Sequence, residues 1–204
     1  MESQSKQANA GVNTIMKNIQ IGTEMGEIGG MVQEVAESHG FNTIHNLCGH
    51  QIAQNNLHCG ISVPNYKNMD SRAVEDGMEF AVEPFFTRGV PKVKSCGPSN
   101  IVHLVNDKPV RDPIAKKVLM YIREHYPTLP FSKRWLVKDI VKNLRKDFDS
   151  GFDIKRVNYA IKILKQNGIL MEYDALASVD GEFVSQYEDV VVFHNNQKTI
   201  ITRL

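Results

Sequence analysis

Apolar residues recur at helical spacing through the first forty positions. Val12, Ile15, Met16 and Ile19 share one stripe and predict a helix over 5–19. Thr23 stands where a cap belongs, ahead of Ile28, Met31, Val32 and Val35, and Gly40 is the expected stop. From about 42 to 105 the pattern turns short and β-like. In AVEPFF (81–86), Ala81, Glu83 and Phe85 fall on one face and Val82 on the other. Gly60, Pro64, Asn65, Gly89, Pro91, Gly97 and Pro98 punctuate these strands.

Helical spacing returns at 111–126, where Ile114, Val118, Leu119 and Ile122 form a stripe. Ser132 begins a second helix through Trp135, Leu136, Ile140, Val141 and Leu144. Asp153 caps a third, with Val157, Ile161 and Leu164, which stops at Gly168. A hairpin-like tail follows: ILMEY (169–173), a turn at Asp180–Gly181, then 186–194 and 199–204. The sequence shows neither a repeat of fixed period nor a low-complexity segment.

Three helices followed by a hairpin predict a winged-helix-like unit, and charge supports its separateness. The chain of 204 residues carries a net charge of only +1, yet residues 111–170 hold fourteen Lys and Arg against six Asp and Glu. On this pattern Lys133, Lys138, Lys142, Arg145 and Lys146 are the candidate phosphate contacts, with Asp139, Asp147 and Asp149 opposing them. Three cysteines argue against a disulfide framework and for a reducing compartment. No apolar run approaches the ~20 residues of a membrane span, and the start lacks the pattern of a secretion signal, so the expected location is cytoplasmic.

The residue chemistry concentrates in NLCGHQIAQNNLHCG (46–60), with two cysteines and two histidines. The Cys48–His50 and His58–Cys59 spacings miss those of zinc knuckles, and no flanking signature marks a nucleophilic cysteine. The cysteines read as packing residues. Glu83 lies in an otherwise apolar run, extended by the following Pro84, and Glu188 precedes the apolar VVVF (190–193). A carboxylate aimed into a core is costly unless paired or metal-bound. His50, Glu83 and Glu188 therefore make a candidate set for a borderline divalent ion, and paired surface glutamates are the alternative.

Four stretches then carry a resemblance: NLCGHQIAQNNLHCGISVPN (46–65), GMEFAVEPFFTRG (77–89), LPFSKRWL (129–136) and QYEDVVVF (186–193). In this order and spacing they resemble type-2, archaeal-like methionine aminopeptidases. The resemblance implies an α+β fold: the second αββ half of a pita-bread (creatinase/aminopeptidase) domain with an inserted winged-helix-like helical subdomain. It implies three segments: 1–110 as the αββ half, 111–170 as the insert and 171–204 as returning strands. It implies two divalent ions (Co, Mn, Fe or Zn), with His50 and Glu83 as ligands and Glu188 bridging. It makes His58 and Glu83 catalytic and places Leu57 and Tyr173 in the pocket for the methionine side chain.

The family also uses two aspartate ligands eleven positions apart, supplied by an earlier αββ half. No aspartate of this chain has another eleven residues later. The expectation is a fragment or split half, inactive alone, acting on the N-terminal methionine of nascent chains with a complementary half chain. A ribosome contact is a further expected partner. A non-catalytic module binding RNA or the ribosome through the basic unit stays open as the alternative. Without the covering half, Val82, Phe86 and the strand 190–193 are expected to be exposed and to drive association.

Overall fold

The computed structural model describes residues 2–143 and 152–203, with side chains over 6–141 and 152–203. The elements run α1 (Glu2–Asn18), α2 (Met25–Ser38), β1 (Asn42–Thr43), β2 (Gly49–Ile52), β3 (Ser62–Val63), β4 (Glu79–Val82), β5 (Phe85–Thr87) and β6 (Val93–Leu104). They continue with α3 (Pro113–His125), β7 (Phe131–Ser132), α4 (Lys133–Lys138), a π-turn (Asp139–Asn143), α5 (Ile154–Gln166) and β8 (Leu170–Ser178). The chain ends through β9 (Val184–Gln186), β10 (Asp189–His194), β11 (Gln197–Ile200) and a 3₁₀ turn. Two compact units result: Met1–Ser95 with Leu176–Leu204, and Cys96–Ala175. The predicted helical segment 111–170 lies inside the second unit, which also takes in parts of β6 and β8.

In the first unit a five-stranded sheet has the order β11-β10-β4-β2-β3, and a three-stranded one the order β1-β5-β9. Ala8, Val12, Ile15 and Met16 of α1, with Ile19 just beyond it, form a wholly buried stripe. Met25, Ile28, Val32 and Ala36 of α2 do the same. Both helices join Phe80, Val82, Phe86, Val191 and Phe193 in one core. This corrects the expectation of an exposed apolar face: Val82, Phe86, Val191 and Phe193 are at most 1% exposed. Residues alternate across a strand, so Val190 and Val192 face the other way and are only half-buried.

Other local expectations shift for identifiable reasons. Thr23 is not the cap of α2: its hydroxyl accepts from the Gln20 amide, and Glu24 forms a capping box with Glu27. AVEPFF is not one strand, because Pro84 has no amide proton to pair. β4 ends at Val82 and β5 starts at Phe85 in a different sheet. The C-terminal hairpin is β10–β11, turned by Asn195 and Asn196, both at positive φ.

In the second unit, α3, α4 and α5 pack with the sheet β7-β6-β8 around Leu119, Ile122, Phe131, Leu136, Ile161 and Leu164. Asp112, Ser132 and Asp153 cap α3, α4 and α5 through their side chains. Leu144, Arg145, Lys146, Asp147 and Asp149 lie outside the described residues, as does the side chain of Lys142.

Two anchors tie the first unit's C-terminal segment down. Lys198 Nζ donates to the carbonyls of Met16 (2.8 Å) and Ile19 (2.9 Å), satisfying the end of α1. Lys198→Met is expected to lower stability by about 1 kcal/mol in urea unfolding, since the side chain is exposed and its bonds are partly screened.

The Asp180 carboxylate accepts from the Ser178 hydroxyl and from the Val90 amide (2.6 Å), which hold its pKa down at about 2. A depressed carboxyl stabilises the fold above the ordinary carboxylate range and loses that effect as pH falls from about 4 toward 2. Asp180→Asn is expected to melt below the parent protein at pH 7, and thermal scans near pH 2 should show the difference gone.

Candidate active site

The first unit's two sheets meet where two strands are broken at the same level. Val82 of β4 pairs with Asp189 of β10, and Phe85 of β5 pairs with Gln186 of β9. Between these pairs Glu83–Pro84 faces Tyr187–Glu188, each in a two-residue gap between strands. Both candidate glutamates therefore sit where the ladder is interrupted.

β2 supplies the histidine. His50 pairs with Ala81 on one side and Ser62 on the other. At Gly49 an added Cβ would lie 2.3 Å from the Ala81 carbonyl oxygen, so only glycine allows β2 this close to β4. Beyond β2 the chain folds back tightly, with Gln51 N–H donating to the Ile61 carbonyl (2.7 Å) and Asn55 at positive φ. That return brings the exposed His58 ring to 4.2 Å from the His50 ring, centroid to centroid.

The contacts form a short chain. His50 Nε2 lies 3.3 Å from Glu83 Oε1, and both side chains are 15% exposed. The Gln186 amide nitrogen donates to Glu83 Oε2 (3.1 Å) and to Glu188 Oε2 (3.2 Å). Burial pushes the Glu83 carboxyl up to about 7; the Glu188 charge adds to the rise and the Gln186 bond opposes it. Two carboxylates converging on one nitrogen call for a proton or a cation between them.

The residues present fit a divalent ion. His50 Nδ1 is buried and has no hydrogen-bond partner among the described residues, so this ring nitrogen is left unused. An imidazole with two carboxylates is also a donor set for borderline divalent metals. Among the described residues no group of three or more His, Cys, Asp or Glu side chains is placed to hold a metal ion. The arrangement is an open partial site.

The structure thus brings His50, His58, Glu83 and Glu188 together. Leu57 is half-buried in the same β2–β3 return, whereas Tyr173 lies on β8 in the second unit. Glu188 itself is exposed; the buried carboxylate of this segment is Asp189, which accepts from Thr202 (2.7 Å) and from Arg203 Nε (2.8 Å). Gln186 is the site residue not singled out from sequence. Its spacing two before Glu188 in an extended segment is the signal, since such residues share a face. Cys48, Cys59 and Cys96 are free thiols.

Residues 6–107 match metallopeptidase family M24. The chain belongs to that family. It is 34% identical over 96% of its length to a methionine aminopeptidase of Methanothermobacter thermautotrophicus, covering 61% of that protein. It is 34% identical over 97% of its length to one of Archaeoglobus fulgidus, covering 62%. The chain thus spans about three fifths of the curated relatives it matches.

Among solved structures, a thermophilic Arx1 superposes at a TM-score of 0.72 with 15% identity, over 97% of this chain and 55% of that one. The Thermotoga maritima methionine aminopeptidase superposes at 0.55 with 16% identity, over 98% and 51%. At these identities they establish the fold alone, a mixed helix-and-sheet fold of the family. Among the described residues no helix is long and apolar enough to cross a membrane.

Because β2 touches β4 through Gly49, Gly49→Ala is expected to destabilise the first unit by about 2 kcal/mol, the usual cost of forcing a methyl group against fixed backbone. Urea unfolding followed by far-UV circular dichroism checks this. An unchanged midpoint would contradict the close approach.

Proposed function

We propose that the chain is a fragment or split half of a methionine aminopeptidase, removing N-terminal methionine from nascent chains in the cytoplasm. The observation that supports this most is the paired interruption at Glu83–Pro84 and Tyr187–Glu188, which leaves Glu83 against His50 and both carboxylates accepting from the Gln186 amide. The identity to relatives named methionine aminopeptidase supports the substrate.

In this reading His50, Glu83 and Glu188 are the residues of this chain that would hold divalent ions (Co, Mn, Fe or Zn). When bound, the ions supply an acidified water and a polarised carbonyl. Glu83 would also accept the proton of the attacking water and return it to the leaving amine. His58, above the His50 ring, donates to the carbonyl oxygen as it gains charge. Leu57 lines the pocket for the methionine side chain. The second unit, with three helices and a small sheet, reads as the winged-helix-like insert.

Three ligands do not make a two-metal site, and the missing pair is expected from a complementary αββ half bearing two aspartates eleven apart. The purified 204-residue chain should release no methionine from a Met-Ala-Ser peptide with Co²⁺ or Mn²⁺, and adding such a half should restore release. In the reconstituted enzyme Glu188→Ala should abolish turnover and metal retention together. His58→Ala should keep the metal but slow turnover by about 10²–10³-fold. Full activity of the Glu188→Ala form, or turnover by the chain alone, would refute these assignments.

A further inference from the structure

Two cavities open side by side on the second unit, and none of the active-site residues assigned above lines either of them. One, of about 410 Å³, is lined by Asn100, Lys133, Arg134, Val137, Lys138 and Asn158. The other, of about 340 Å³, shares Lys133 and Asn158 and adds Lys162, Lys165 and Glu172. The shared residues make them one groove between α4 and α5. Among the described residues five cations line it against a single carboxylate.

That carboxylate is itself neutralised. Glu172, with its side chain 8% exposed, is bonded to both Lys133 and Lys165. Burial alone would push its pKa up, but the two lysines outweigh this and hold it below the ordinary range. Glu172 thus fixes two ammonium groups in the groove instead of cancelling the field. Arg134, Lys138 and Lys162 have no ion-pair partner among the described residues, so a net charge of about +4 faces solvent along the groove. Within a chain whose total charge is +1 this is a strong local concentration.

We propose that the α4–α5 groove binds single-stranded RNA through its phosphates. Concavity selects a single strand, because a duplex presents convex phosphate ridges that suit a flat or protruding basic face, whereas a charged groove tracks one backbone. The exposed amides of Asn100 and Asn158 supply donors and acceptors for ribose hydroxyls and base edges. An acidic protein segment is disfavoured by the lining. Protein interfaces centre on buried apolar anchors, and here Val137 and Ile161 are the apolar contributors, the latter 4% exposed.

The test uses the full chain without added metal and a fluorescein-labelled 12-nucleotide oligouridine, read by fluorescence anisotropy. Four net phosphate contacts predict that raising KCl from 50 to 200 mM weakens binding about 50-fold. Lys138→Glu with Lys162→Glu should weaken it by ~30-fold or more at low salt. Lys92→Glu with Lys94→Glu in the first unit should change it less than ~3-fold. Chemical-shift mapping on the unmodified chain, which does not depend on a variant folding, should move amides of α4 and α5. Unchanged RNA affinity in the Lys138/Lys162 variant, shifts confined to the first unit, or equally tight binding of polyglutamate would each overturn the proposal.

Discussion

β4 and β10 pair across Val82 and Asp189, β5 and β9 pair across Phe85 and Gln186, and Glu83–Pro84 and Tyr187–Glu188 between them lie outside both ladders. Both candidate carboxylates depend on that double interruption. A continuous ladder would send the side chains of Glu83 and Glu188 to whichever face the pleat dictated. Breaking both strands at one level frees them to converge on the Gln186 amide. Pro84 is the chemical cause on one strand, since it cannot donate to a ladder. Gly49 is the complementary constraint on the other flank, because it lets β2 deliver His50 at contact distance.

Much of this could be read from the sequence where local physics decides. The stripes of α1, α3 and α5 came through as periodicity, and Ser132 and Asp153 are caps as their positions indicate. What could not be read was long-range. The sequence shows that Val82, Phe86, Val191 and Phe193 are apolar but not that α1 and α2 of the same chain cover them. It shows acidic residues before VVVF but not that Asp189, rather than Glu188, is the buried one, because that depends on Arg203 arriving from beyond β11.

His50, Glu83 and Glu188 could be grouped from their residue types and apolar setting, whereas His58, Leu57 and Tyr173 entered only through the family resemblance. The contact of Glu83 with His50 comes from the register of β2 on β4, which no local pattern encodes. Charge was legible in a different way. The basic bias of 111–170 survives as a groove, but its shape depends on Glu172, which lies just outside that segment and holds two of its lysines in place.

The sheet order has a consequence for how the molecule is made. β4 lies between β2 and β10, yet β10 is translated about a hundred residues after β4, with the whole second unit in between. During synthesis β4 therefore waits with one edge unpaired while a contiguous helical unit emerges and can fold first. An open apolar edge of this kind is a template for pairing with other chains. The nascent first unit should depend on rapid elongation or on a holding chaperone until VVVF appears. Slow translation through 111–188 would then be a hazard to yield, leaving the final stability of the molecule unchanged.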